Sequence, residues 1–399
     1  MTGSSRHEKS CAAPGATTRH ASSRLTRIAA SLAVAALAAS ALNVSTAMAK
    51  NQWADYHWSL PANETQLVIE VNDCQEEPVP ELNYWHPVDS FSGPNDDWDW
   101  EIGLAGGAIT IMNGSCPANI GAFSDPIGAA NSGAFDTRAA EFVDTPTVNS
   151  FNGSFGNSGW VGLAIVALPS NDSHIFYGET YLNDYYPANS TTYNQPLRMR
   201  KVQCQEIGHT FGLDHVKKDT SCMYSSRAFI GSVHTPSSHD ADVINSITHD
   251  DGAPPPTPEE DGGGDGGGPC AKNPNHWKCQ AQGPVFRGKA TWAERYDSQD
   301  EMFEAADVVV SATVLNGSMF DRVVGAPGRG LPVSQAVLQI REVFKGKANG
   351  VVRIEHTRGL GLEIEDDPGY VNGDNYLLFL RQLGAKTYRV VNPQGRIAQ

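Results

Sequence analysis

Trp160-Val161-Gly162-Leu163-Ala164-Ile165-Val166-Ala167-Leu168 is an apolar run of nine residues bounded by polar segments. A run that short and that continuous predicts a buried strand. Asn171-Asp172-Ser173 follows as a turn, and residues 175–183 alternate in a way that predicts a second strand. Leu67-Val68-Ile69-Glu70-Val71 predicts an earlier one. After Asn194-Gln195-Pro196 the pattern becomes helical, with Asn194 expected as the cap and Pro196 tolerated in the first turn. Leu197, Val202, Ile207 and Phe211 suit the buried side of that helix, and Gly212 is its expected stop. Residues 239–247 predict one more helix. Residues 121–160, rich in Gly, Ala, Ser and Asn, give no assignment before the run at Trp160.

Residues 251–269, D-G-A-P-P-P-T-P-E-E-D-G-G-G-D-G-G-G-P, have the composition of a linker, part stiff from proline and part flexible from glycine. They divide an expected first domain, 50–250, from a second, 270–399. In the second, residues 308–314, 335–340, 351–355, 376–380 and 388–391 predict strands, and a short helix is expected at 299–306. Short strands separated by turn residues predict a small β-barrel or sandwich. The expected fold class is α/β in the broad α+β sense, a mixed sheet with one prominent helix followed by a β-rich domain.

The first 49 residues read as a secretory signal. Arg24 and Arg27 precede an Ala-rich apolar stretch, and Ala47-Met48-Ala49 offers a small-x-small cleavage site. The stretch is too short and weak to span a bilayer. The chain carries a formal net charge of −16, and residues 1–49 hold five Lys/Arg against one Glu, so the remainder is near −20 (−16 less +4). Such a balance argues against nucleic acid or an anionic membrane as partner. Six cysteines remain beyond the signal: Cys74, Cys116, Cys204, Cys222, Cys270 and Cys279. An even number in an exported chain predicts disulfides. Among the roughly 15 pairings open to six cysteines, joining near neighbours gives Cys74–Cys116, Cys204–Cys222 and Cys270–Cys279.

The chemistry is concentrated in Gln205-Glu206-Ile207-Gly208-His209-Thr210-Phe211-Gly212-Leu213-Asp214-His215, one letter from the zinc-binding signature H-E-x-x-H-x-x-G-x-x-H. Gln205 stands where the first histidine would. On a helix Gln205 and His209 share one face, and a chain that turns at Gly212 can bring His215 round to the same point. Three such ligands leave an open position for water, the catalytic arrangement for zinc. Glu206, beside the first ligand, is placed to take a proton from that water. An amide oxygen is a poorer zinc donor than imidazole, so Gln205 predicts weakened metal retention more than lost chemistry. Either a second water or another histidine, His234 or His239, could complete the site instead. Asp214 could orient a ligand histidine or simply cap. Asp96, Asp97, Asp99 and Glu101 could hold Ca2+, although the spacing fits no defined calcium loop and a solvated acidic loop is the plainer reading.

With Met223-Tyr224 eight residues after His215, the pattern E-x-x-H-x-x-G-x-x-H…M-Y resembles the matrixin branch of the metzincin metallopeptidases. The resemblance implies a methionine turn at Met223 and Tyr224 passing beneath a zinc ion, and an edge strand, among those before the helix, that lines the substrate cleft. Two departures are Gln205 and Ser225, the latter where matrixins usually carry proline, and no cysteine-switch propeptide is visible. C-Q-E-x-G-H-T-F-G-L-D-H, with Cys204 and Cys222 flanking helix and turn, also resembles a bacterial subset of matrixin-like sequences. The specific resemblance covers about residues 160–250. The second half resembles, more loosely, accessory domains similar to the netrin or metalloproteinase-inhibitor barrel and shows no catalytic cluster. Two functions follow as expectations. One is a secreted zinc endopeptidase acting on protein or peptide substrates with Glu206 as base. The other is an inactive binding protein on the same scaffold, its second domain attached to a surface or partner that the sequence does not name.

Overall fold

The computed structural model describes residues 51–58, 66–75, 98, 109–116, 146–168, 173–218, 220–225, 233–247, 285–325 and 330–399. Their strands are β1 (His57–Trp58), β2 (Leu67–Asp73), β3 (Ile109–Ser115), β4 (Thr147–Gly153), β5 (Trp160–Leu168), β6 (His174–Ile175) and β7 (Tyr177–Asn183). Helices α1 (Tyr185–Asn189), α2 (Pro196–Thr210) and α3 (Ser238–Ile247) follow. After them come β8 (Val285–Trp292), α4 (Gln299–Ala305), β9 (Val308–Val324), β10 (Leu331–Lys345), β11 (Val351–Thr357), β12 (Leu362–Ile364), β13 (Asn375–Gln382), β14 (Thr387–Val390) and β15 (Arg396–Ala398). The fold is mixed α/β and strand-rich, as the pattern predicted. The expected signal, the acidic cluster at Asp96, Asp97, Asp99 and Glu101, the linker, and Cys270 with Cys279 lie outside the described residues.

The larger sheet has the order β12-β8-β5-β7-β4-β2-β3. Strands β3, β2, β4 and β7 run parallel, whereas β5 is antiparallel to β7 on one side and to β8 on the other. Two strands from beyond the expected linker thus belong to the first sheet, which the sequence reading did not anticipate. This explains why all nine residues of β5 are buried: its two edges are paired and its two faces covered. β7 also departs from the expected alternation, being buried at all seven positions because it lies in mid-sheet between β5 and β4.

One face of the sheet packs on α2 and α3 through Ile69, Val148, Val166, Ile207, Phe211 and Ile244. The other buries Phe151, Leu163, Tyr181, Phe286, Trp292 and Leu362. The second sheet, β14-β11-β10-β9-β13-β15, has its own core around Val310, Leu338, Ile354 and Leu378. Its β14 pairs with both β11 and β13, so the ladder returns on itself. Disulfides join Cys74 to Cys116, tying β2 to β3, and Cys204 to Cys222, tying α2 to the segment beyond His215.

Candidate active site

Helix α2 begins at Pro196, capped by Gln195 rather than the expected Asn194, and the cap makes no side-chain hydrogen bond. Leu197, expected on the buried side, is 56% exposed. From Met199 to Thr210 every residue is buried, polar ones included, because β5 and β7 pack against the helix and β8 packs against it as well. An amphipathic pattern describes a helix with one wet side, and this one has almost none.

The helix ends where Gly212 adopts φ +87°. A Cβ there would meet the carbonyl of Tyr56 at 2.2 Å, so the turn needs glycine on two counts. The Gly212 carbonyl accepts from the Trp53 amide at 2.7 Å, and the Asp214 amide donates to the carbonyl of Asn51 at 2.5 Å. The N-terminal segment therefore braces the turn that aims His215.

His209 and His215 converge, their Nε2 atoms 3.1 Å apart and their rings edge to face. His209 Nδ1 lies 2.7 Å from the Leu213 carbonyl, which can only accept, so Nδ1 carries the hydrogen and Nε2 presents its lone pair. Burial, with Lys289 adding in the same direction, pushes His209 down to about 3. Burial and the adjacent His209 hold His215 well below the ordinary histidine value. Both rings are thus neutral near pH 7. Two nitrogens on one tetrahedral zinc, each at about 2.0–2.1 Å, stand about 3.3 Å apart, so the pair fits that ion. Trp53 meets His209 edge to face at 6.0 Å.

Glu206 is wholly buried, and its carboxylate oxygens make no well-aligned hydrogen bond although Thr291 and the Ala164 backbone lie against them. Burial pushes its pKa up to about 8, with Thr291, the Ala164 backbone and Lys289 opposing. Strand β5 lies directly over it: a Cβ at Gly162 would stand 2.5 Å from Glu206 Oε1. Gln205 is also buried, and its Oε1 accepts from the Thr291 hydroxyl at 3.1 Å.

Met223 packs beneath the helix, where a Cβ at Gly208 would meet its sulfur at 2.4 Å. Its carbonyl accepts from the Val216 amide, and Tyr224 bridges to Val216, which closes the loop after His215. The Tyr224 ring receives Lys201 Nζ at 5.2 Å. Among the described residues no third His, Cys, Asp or Glu joins the histidine pair, so His234 and His239 do not complete it.

Several residues at the site lie beyond the expected linker. Lys289 Nζ contacts Asp214 Oδ1 at 2.9 Å and Glu365 Oε2 at 2.8 Å. Burial alone would lower its pKa, but Asp214 and Glu365 overrule that and raise it. Arg295 Nη1 donates to the Ser225 carbonyl at 2.9 Å. A cleft of about 520 Å³ beside His215 is lined by Lys289, Trp292, Arg295 and Asp366 among others. Trp98 was also missed: its Nε1 donates to the Cys204 carbonyl at 3.3 Å, and its ring stands edge to face on Phe211.

No protein-family model matches the chain, and no curated protein matches it. Function has to be read from the site itself.

Proposed function

We propose that the chain is a secreted zinc-dependent endopeptidase of the matrixin-like metzincin type, with a small β-barrel as its second domain. The observation that carries the reading is the neutral His209–His215 pair, with Nε2 atoms 3.1 Å apart and Glu206 buried on the same helix. Met223 beneath Gly208 and the antiparallel β5 alongside α2 support it. The self-closing ladder through β14 supports the barrel. Two disulfides favour an oxidising compartment, and no helix of the described residues is long and apolar enough to cross a membrane.

His209 and His215 would hold the zinc, with Gln205 as a weak third donor. When bound, the ion would acidify water and polarise the scissile carbonyl. Glu206 would accept the proton of the attacking water and deliver it to the departing amine.

One zinc per purified chain, with peptide hydrolysis, however slow, abolished by Glu206→Ala, is the expected result. A chain that takes up no zinc and cleaves nothing sinks the reading.

A second reading is an inactive binding protein on this scaffold. It is favoured by Gln205, whose amide oxygen is already engaged by Thr291. Stable zinc retention in the full chain argues against it.

A further inference from the structure

We propose that β8 is a resident occupant of the peptide-binding edge of β5, so that the chain holds its own active site shut. This rests on the peptidase reading above.

An extended polypeptide binds a sheet by adding a strand to an open edge, its backbone amides and carbonyls pairing with the edge strand. Within the first sheet, β5 is the strand that passes over Glu206, and its outer edge is where such a chain would lie. That edge is taken. Val285–Trp292 runs antiparallel to β5 from Leu168↔Val285 to Trp160↔Trp292. The ladder places Thr291 opposite Gly162, where an added Cβ would stand 2.5 Å from Glu206 Oε1. Thr291 then donates to Gln205, and Gln205, Glu206 and His209 are left with at most 1% exposure. A peptide that paired with this edge would have to displace β8 first.

One face of β8 is held by core packing of Phe286, Ala290 and Trp292, and its far edge pairs with β12, whereas the face toward the site is held by polar contacts. Lys289 holds Asp214, the neighbour of His215, and Arg295 holds the carbonyl of Ser225. Just past the strand, the Ala293 amide donates to the Gly159 carbonyl at 2.8 Å and the Ala293 carbonyl accepts from Tyr193 at 2.6 Å. Arg287 and Lys289 are poor choices for a strand whose only task is to complete a core. They suit one that is pinned by charge and can be displaced. Activation would consist of withdrawing β8 from β5 and leaving the edge free for substrate.

The test uses the full chain and a fluorescein-labelled extended octapeptide rich in Val and Thr, with binding read by anisotropy and cleavage read separately. Lys289→Glu with Thr291→Pro removes the charge anchor and disrupts the strand at Gly162. We expect octapeptide binding at least tenfold tighter than in the parent, with folding checked by circular dichroism. Val166→Cys with Arg287→Cys, at facing positions of the ladder, locks β8 in place when oxidised; each single cysteine variant controls for reduction of the native disulfides. We expect the locked form to lose octapeptide binding and to regain it on mild reduction. Tighter binding without cleavage supports the occupied edge and overturns the peptidase reading alone. A folded released variant that binds no better than the parent overturns the proposal. If that variant does not fold, the locked pair decides: equal binding in oxidised and reduced forms overturns it.

Discussion

Lys289 and Asp214 meet at 2.9 Å across a boundary between distant parts of the chain. Lys289 is almost wholly buried while Asp214 is 38% exposed in its side chain. Asp214 Oδ1 also accepts the His215 amide at 2.5 Å, so one carboxylate both fixes the turn into His215 and neutralises a buried cation. Asp214→Asn should therefore destabilise the fold by roughly 1–3 kcal/mol, less than for a fully buried pair because Asp214 reaches solvent and Glu365 remains. Lys289→Met in the same background should recover part of the loss by removing a buried charge left with one partner, Glu365. Urea denaturation of the two variants and the parent measures both effects.

Gln205→His should tighten zinc retention by an order of magnitude or more, since imidazole is the better donor. Competition against a chromogenic chelator reads this out directly. Unchanged retention would mean that Gln205 does not face the ion.

Glu206 also sets a pH dependence of stability. Its unfolded form titrates near 4.5 and its folded form near 8. Between those values the folded chain keeps a proton that the unfolded chain has lost, so stability falls as pH rises, and the loss is complete above about 8. His209, neutral when folded down to about 3, works with the opposite sign below 6.5. The clean window is thus pH 6.5–8. In chelator-treated protein, Glu206→Gln should flatten the decline there by up to about 1.4 kcal/mol per pH unit. A parallel decline in parent and variant would show that this carboxyl is not the source.

Gly208 and Met223 form a tight contact under the helix. Gly208→Ala should cost about 1–3 kcal/mol from overpacking, and Met223→Ala about 2–4 kcal/mol from a cavity. Combined, the two should cost less than their sum, because the new methyl group enters the space the thioether leaves. A double-mutant cycle by chemical denaturation checks this, and strict additivity would refute the contact.

Local features of the fold were readable where local physics decides them. The run at Trp160 became a strand with the expected bounds, and Gly212 ended the helix as the left-handed residue it was expected to be. Helical spacing places Glu206 and His209, and the turn at Gly212 brings His215 against His209 as the spacing suggested. Gln195 replaced Asn194 as the cap, a shift of one residue within the usual uncertainty of helix ends. Val285-Phe286-Arg287-Gly288-Lys289-Ala290-Thr291-Trp292 gave no strand signal, since Gly288 and two cations interrupt it. What makes it a strand is the open edge of β5, a tertiary demand that overrides propensity. Thr291 lies 86 positions from its partner Gln205, and no periodicity links residues so far apart.

The position of β8 in the chain also bears on how the protein folds. Val285 comes 117 residues after Leu168 (285 less 168), the end of the strand it covers. Until β8 has been made, a nine-residue apolar strand would stand with one side of its backbone unpaired, the template on which chains join edge to edge. A chain ending at residue 250 is therefore expected to self-associate in sedimentation, and a soluble monomer would refute this. The strand that denies entry to substrate would then also deny it to a second copy of the same molecule.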